Sequence, residues 1–116
     1  MTEAGRFRFT QAQRLHGRVA FARVFEGGMR RQRGPLVVWM LSNDLPMSRL
    51  GLTVPGRVGT NVVRNRVKRL LREAFRLRQH ELPAGYDVVV VVRPHEPADL
   101  TTYQRWLCGA IVAAAR

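Results

Sequence analysis

NVVRNRVKRLLREAFRLRQ, residues 61–79, decides the fold. Val63, Val67, Leu70, Leu71, Ala74 and Phe75 follow the i, i+4, i+7, i+8, i+11, i+12 spacing of a helix that rests on a sheet. At about 100° per residue, Arg64, Asn65, Lys68, Arg69, Arg72 and Arg76 fall on the opposite side, and within the helix only Glu73 offsets them. Like charges at i, i+4 repel by about 0.2–0.5 kcal/mol per pair. The series Arg64, Lys68, Arg72, Arg76 therefore lowers stability unless phosphates neutralise it. A face of mixed sign would read as a solvated surface, whereas this one is almost purely cationic. Asn65, between two arginines, adds a short donor and acceptor suited to a phosphate, a ribose or a backbone group.

Beyond this helix, Tyr86 to Arg93 is a nearly continuous valine run, the pattern of a strand covered on both faces at or near the centre of a sheet. Upstream, Leu36 to Leu41 is a β-prone run, and Leu50, Leu52 and Val54 alternate with Arg49, Gly51 and Thr53. Ser42 to Pro46 has turn chemistry, so these two strands are expected to form a hairpin. Met29 to Gly34, with Arg30, Arg31 and Arg33, reads as a basic loop. A first helix is predicted from about Val19 to Glu26, entered from the weak cap Gly17 and stopped by Gly27-Gly28. A last helix carries a buried stripe of Leu100, Tyr103, Leu107, Ala110, Ile111 and Ala114, and Thr101 with Gln104 reads as its capping box. The whole is one α+β layer structure. Residues 1–13 are expected to be a flexible basic segment and 14–116 a single domain. A strand–helix–strand order implies a crossover between parallel neighbours, right-handed by the general rule.

The chain of 116 residues carries a formal charge of +12, with Lys68 its sole lysine. Such a field needs an acidic partner, and guanidinium binds phosphate bidentately and stacks on bases. Nucleic acid is favoured over an anionic membrane, because the basic residues are not gathered on one Trp- or Leu-faced interfacial helix. No apolar run is long enough to cross a bilayer or to serve as an export signal, which makes the cytoplasm the expected location. Cys108 stands alone, and His16, His80 and His95 fit no metal-ligand spacing, so these four are expected to serve packing.

The run Arg64-Asn65-Arg66-Val67-Lys68-Arg69-Leu70 resembles the Arg-Asn-Arg signature of the bacterial ribonuclease P protein family. Arg49-Leu50-Gly51-Leu52-Thr53-Val54 with Gly59, Leu71-Arg72-Glu73-Ala74-Phe75-Arg76, and Phe21 with Val24-Phe25 match as well, so the resemblance extends from about Arg14 to the C-terminus. It implies a two-layer α/β sandwich with a four-stranded sheet, three helices and an unusual left-handed βαβ crossover. It implies an accessory subunit of the ribonuclease P holoenzyme, an endoribonuclease whose active site lies in its RNA and needs Mg2+. The expected partners are ribonuclease P RNA and precursor tRNA. No membrane, no obligate protein partner and no protein-bound cofactor are expected. By motif match, Arg64, Asn65, Arg66, Lys68, Arg69, Arg72 and Arg76 would bind RNA, with no catalytic or metal-ligating residue in the protein. Arg14, Phe21, Phe25 and Trp39 would line a cleft for the single-stranded 5′ leader. Phe21 and Phe25 could equally be core, and the neighbours Val37, Met40 and Leu41 do not fix which face of its strand Trp39 takes. The family usually has a polar cap where Gly17 stands.

Two rival classes remain at this level. A ribosomal or other structural RNA-binding protein shares the charge and layout. A self-sufficient metal-dependent nuclease would need converging carboxylates, and Glu3, Glu26, Asp44, Glu73, Glu81, Asp87, Glu96 and Asp99 are dispersed along the chain.

Overall fold

A computed structural model describes residues 9–115. The valine run becomes a strand at Tyr86–Val92 in which Val88, Val89, Val90 and Val92 are all buried, so both faces carry buried side chains. In chain order the elements are helix α1 (Arg18–Gly27), strands β1 (Met29–Arg33), β2 (Leu36–Ser42) and β3 (Arg49–Thr53), helix α2 (Asn61–Arg78), strand β4 (Tyr86–Val92) and helix α3 (Leu100–Ala115). The sheet order is β1-β2-β4-β3. β4 pairs antiparallel with β2 and parallel with β3, and the β3–α2–β4 connection is the crossover unit expected between parallel neighbours. The fold is α+β, with a four-stranded mixed sheet and three helices.

Alternation along the strands divides two clusters. On one face, Leu36, Val38, Met40, Leu50, Val88, Val90 and Val92 pack against Val67, Leu71, Ala74 and Phe75 of α2 and the Tyr103-to-Ala114 stripe of α3. Each fully buried aliphatic or aromatic side chain of this set contributes about 1.5–3 kcal/mol. On the other face, Leu15, Val24 and Val89 form a smaller cluster with Ala20, Phe21, Trp39, Leu41 and Val91 around it. α1 covers only part of that face.

Four expectations change. The hairpin is β1 with β2, turned by Gly34-Pro35 with Gly34 at φ +53°, and β2 with β3 is not a pair, because β4 lies between them. A strand apolar on both faces demands the central position more strongly than a short connection demands local pairing. The basic stretch Met29–Arg33 is therefore an edge strand, where charge is tolerated and discourages association of sheets. The start of α3 is capped by Asp99, whose carboxylate accepts from Thr102 N at 2.9 Å, and not by Thr101 with Gln104. The expected flexible segment 1–13 lies partly outside the described residues, but 9–13 is seated in the fold. Phe9 meets Phe75 edge-on at 5.9 Å, and the buried Gln13 donates from its amide to Gln79 Oε1 at 2.6 Å.

At the end of the sheet under α1, the register partners Arg49 and Asp87 form a bidentate ion pair, both contacts at 2.7 Å, and Asn43 Nδ2 donates to Asp87 Oδ1 at 2.9 Å. Burial pushes the Asp87 carboxyl up, but the Arg49 and Asn43 hydrogen bonds and the Arg49 charge outweigh it and hold it below its ordinary value of 3.8. A carboxyl depressed by folding contributes stability above its unfolded value and loses it as pH falls through the folded one. Asp87→Asn is expected to cost about 1.5–3 kcal/mol in urea unfolding at neutral pH. The gap from the parent protein should begin to narrow only as pH falls below about 3.8.

Candidate nucleic-acid interface

α2 is built to present charge. The Thr60 hydroxyl caps it by accepting from Val63 N at 3.3 Å, and its buried stripe faces the sheet. Asn65, Arg66 and Arg69 are exposed, whereas Arg64, Lys68, Arg72 and Arg76 are half-buried. The cationic surface is thus wider than a single outward face. Arg64, Lys68 and Arg72 recur every four residues along one flank, and Arg66 lies on the other flank, near enough to Tyr103 for its charge to act on that hydroxyl. Arg76 is engaged by Glu73 in an i, i+3 ion pair.

The flank carrying Arg72 turns into a concavity beside α1, lined by Arg14, His16, Phe21, Leu50, Leu52 and Arg72 among others and by no acidic residue. Burial and the charge of Arg14 together push the Arg72 guanidinium below its ordinary value. The two like charges share this concavity, and the nearby Glu73, which lines an adjoining depression with them, is engaged by Arg76, an arrangement that an incoming anion relieves. Arg14 is positioned by the chain just before α1, where Leu15 N donates to Leu50 O at 2.9 Å and extends the β3 edge. Its guanidinium also lies 5.7 Å from the Phe9 ring centre.

The three aromatic residues expected in a cleft come together. Trp39 takes the α1 side of β2, which the sequence left open. Phe25 meets Trp39 edge-on at 5.5 Å and Phe21 at 6.4 Å. Val24 and Ala20 seat α1 on the sheet, so Phe21 is only half-buried and Phe25 remains 37% exposed. Neither ring is ordinary core.

Sequence reasoning missed what lets Phe21 sit so low. A Cβ on Gly51 would stand 2.6 Å from the tip of the Phe21 ring and 3.0 Å from the Leu15 carbonyl oxygen. An isolated glycine in an alternating strand is the signal of such a close approach. The positive φ of Gly17, +97°, gives the chain its turn into α1, a conformation that polar capping residues rarely adopt. Cys108 is half-buried with its thiol pushed up by burial, and His95 bonds the Tyr103 hydroxyl at 2.7 Å, both away from the aromatic cleft.

The ribonuclease P family model matches residues 9–109. The ribonuclease P protein component of Desulfatibacillum aliphaticivorans is 42% identical over 89 residues, which is 77% of this chain and 75% of that protein. Among solved structures, the RNase P protein from Thermotoga maritima is 34% identical with a TM-score of 0.76, covering 83% of this chain and 92% of its own. A mutant of the Staphylococcus aureus RNase P protein is 25% identical with a TM-score of 0.82, covering 90% of each chain.

Gly51→Ala is expected to force the Phe21 ring upward against a backbone that cannot yield. The expected cost is about 1–3 kcal/mol, read as a lower melting temperature. Ala22→Ser, beside Phe21 in α1 but leaving the Gly51 contact unaltered, should lower the melting temperature by no more than the small helix-propensity difference.

Proposed function

The chain belongs to the ribonuclease P protein family, and on that premise we propose that its two surfaces serve two RNAs. It is the protein subunit of ribonuclease P, and the ribosomal alternative gives way to the family match. The cationic face of α2, through Arg64, Asn65, Arg66, Lys68, Arg69, Arg72 and Arg76, binds the catalytic RNA. The cleft of Arg14, Phe21, Phe25 and Trp39 binds the single-stranded 5′ leader of precursor tRNA. The observation that carries this reading is the convergence of Arg14 and Arg72 beside Phe21, which sets Arg72 where the basic helix meets the aromatic rings, at the boundary of the two surfaces. A phosphate there answers the repulsion between the two arginines, and the next bases meet half-exposed rings, where stacking contributes about 1–3 kcal/mol per base without reading sequence.

The protein's share of the reaction is positioning. Bringing a leader against a catalytic RNA sets two polyanions side by side, and a protein of charge +12 placed between them lowers that repulsion. Phosphodiester hydrolysis itself belongs to the RNA, where Mg2+ supplies the chemistry that polarises the scissile phosphate and activates water. The carboxylates beside the basic surfaces do not fit a metal role in this chain: Asp87 is bound by Arg49 and Asn43, and Glu73 by Arg76. No described helix is long and apolar enough to cross a membrane. The proposed setting is the cytoplasm.

Reconstitution with a bacterial ribonuclease P RNA, scored by cleavage of precursor tRNA at limiting magnesium, tests the assignment. Holoenzyme that gains nothing over the RNA alone would refute it. Arg69→Ala should weaken assembly with the RNA and leave leader preference intact. Phe21→Ala, once thermal melting shows it folded, should lose preference for precursor over mature tRNA by about 1–3 kcal/mol and assemble normally. In salt titrations, alanine at Arg64, Lys68 or Arg72 should each flatten the dependence of log affinity on log salt by up to about one unit. An unchanged slope in all three would return that flank to a merely solvated surface.

A further inference from the structure

Arg30 has no place in the surfaces described so far, yet the sheet register sets it beside them. Its Cα partner on β2 is Trp39, the partner of Trp39 on β4 is Val89, and the partner of Val89 on β3 is Gly51. Directly opposed residues share a face, so Arg30, Trp39, Val89 and Gly51 form one row across the sheet, about 14 Å wide at the usual strand spacing. The Arg30 guanidinium lies 6.0 Å from the Trp39 ring centre, Trp39 meets Phe25 at 5.5 Å, Phe25 meets Phe21 at 6.4 Å, and Phe21 stands over Gly51. A path of three rings thus has Arg14 and Arg72 at one end and an exposed arginine at the other. An edge strand needs charge only to discourage pairing, which Arg31 and Arg33 on the opposite face of β1 already provide. That role does not require a guanidinium beside an indole.

We infer that Arg30 is a further leader-binding residue: the single-stranded RNA continues past the cleft across Trp39 to the β1 edge, where Arg30 takes the phosphate of the nucleotide stacked at Trp39. This rests on the leader-cleft assignment above. Because the Arg72 end adjoins the helix that serves the catalytic RNA, the Arg30 end receives nucleotides farther from the cleavage site. Its contribution therefore depends on leader length, unlike that of a general positive field.

The test uses holoenzyme reconstituted with a bacterial ribonuclease P RNA and precursor tRNAs whose leaders are shortened stepwise. Arg30→Ala, at an exposed position, should melt with the parent protein and assemble normally. It should bind a long-leader precursor about tenfold more weakly and show no defect once the leader is trimmed to the nucleotide next to the cleavage site. Arg30→Lys should recover only part of the loss, since an ammonium binds phosphate as a point charge but lacks the planar fork that lies along an indole. A loss of equal size at every leader length and on mature tRNA would overturn the inference in favour of a general field, and full recovery in Arg30→Lys would overturn the role of the indole contact. If Arg30→Ala binds every leader like the parent while Phe21→Ala loses leader preference, the inference falls and the cleft assignment stands. If the parent holoenzyme itself does not distinguish precursor from mature tRNA, the cleft assignment falls and takes Arg30 with it.

Discussion

The burial of β4 on both faces is the constraint from which the rest of the molecule follows. Val88 and Val90 need a cover on one side of the sheet and Val89 on the other, and main-chain groups so deeply placed need a strand on each edge. β2 and β3 supply the edges, α2 and α3 supply one cover, and α1 with Leu15 supplies the second. The second cover is short. α1 reaches β2 and β4 with Val24 and Ala20 and leaves its two phenylalanines at the rim, so the same requirement that buries β4 produces an incompletely filled, aromatic-edged cleft.

Charge is distributed by a related economy. Several of the few acidic residues are engaged within the fold: Asp87 by Arg49 across two strands, Glu73 by Arg76 and Glu81 by Arg78 along the chain, and Asp99 at the N-terminus of α3. Among the described residues without such a partner, Arg64, Arg66, Arg69 and Arg72 lie on α2, and Arg14 joins Arg72 at the concavity they share. Their mutual repulsion is tolerable because each of these side chains keeps contact with water and because the large core under α2 outweighs a few tenths of a kcal/mol per pair. Under the proposed function, that modest destabilisation of the free protein becomes attraction for phosphate.

Both surfaces rest on backbone detail. Gly51 removes the side chain that would otherwise hold Phe21 away from β3, Gly34 allows the tight turn that folds the arginine-rich β1 back along β2, and Gly17 takes the positive φ at the entry to α1. The aromatic path and the basic helix meet where Arg72 of α2 and Arg14 line one concavity with Phe21.

Much of this was legible in the order of residues. The stripe from Val63 to Phe75, the valine run of β4 and the cationic side of α2 are local periodicities, and a helix or strand with one apolar face has little freedom to be anything else. The candidate residues of α2 could be named from the motif around Arg64 to Leu70 and those of the cleft from the wider resemblance, yet their grouping could not. β1 was hidden because an edge strand needs no apolar alternation, and the β2–β3 hairpin failed because neighbours in sequence yielded to β4, whose demand for burial is met only through long-range pairing. Which face Trp39 takes, whether Phe21 and Phe25 are core or rim, and the approach of Arg14 to Arg72 all depend on register and on how far α1 extends over the sheet. Those are properties of the assembled layers, decided by packing between segments distant in the chain, and no local pattern encodes them.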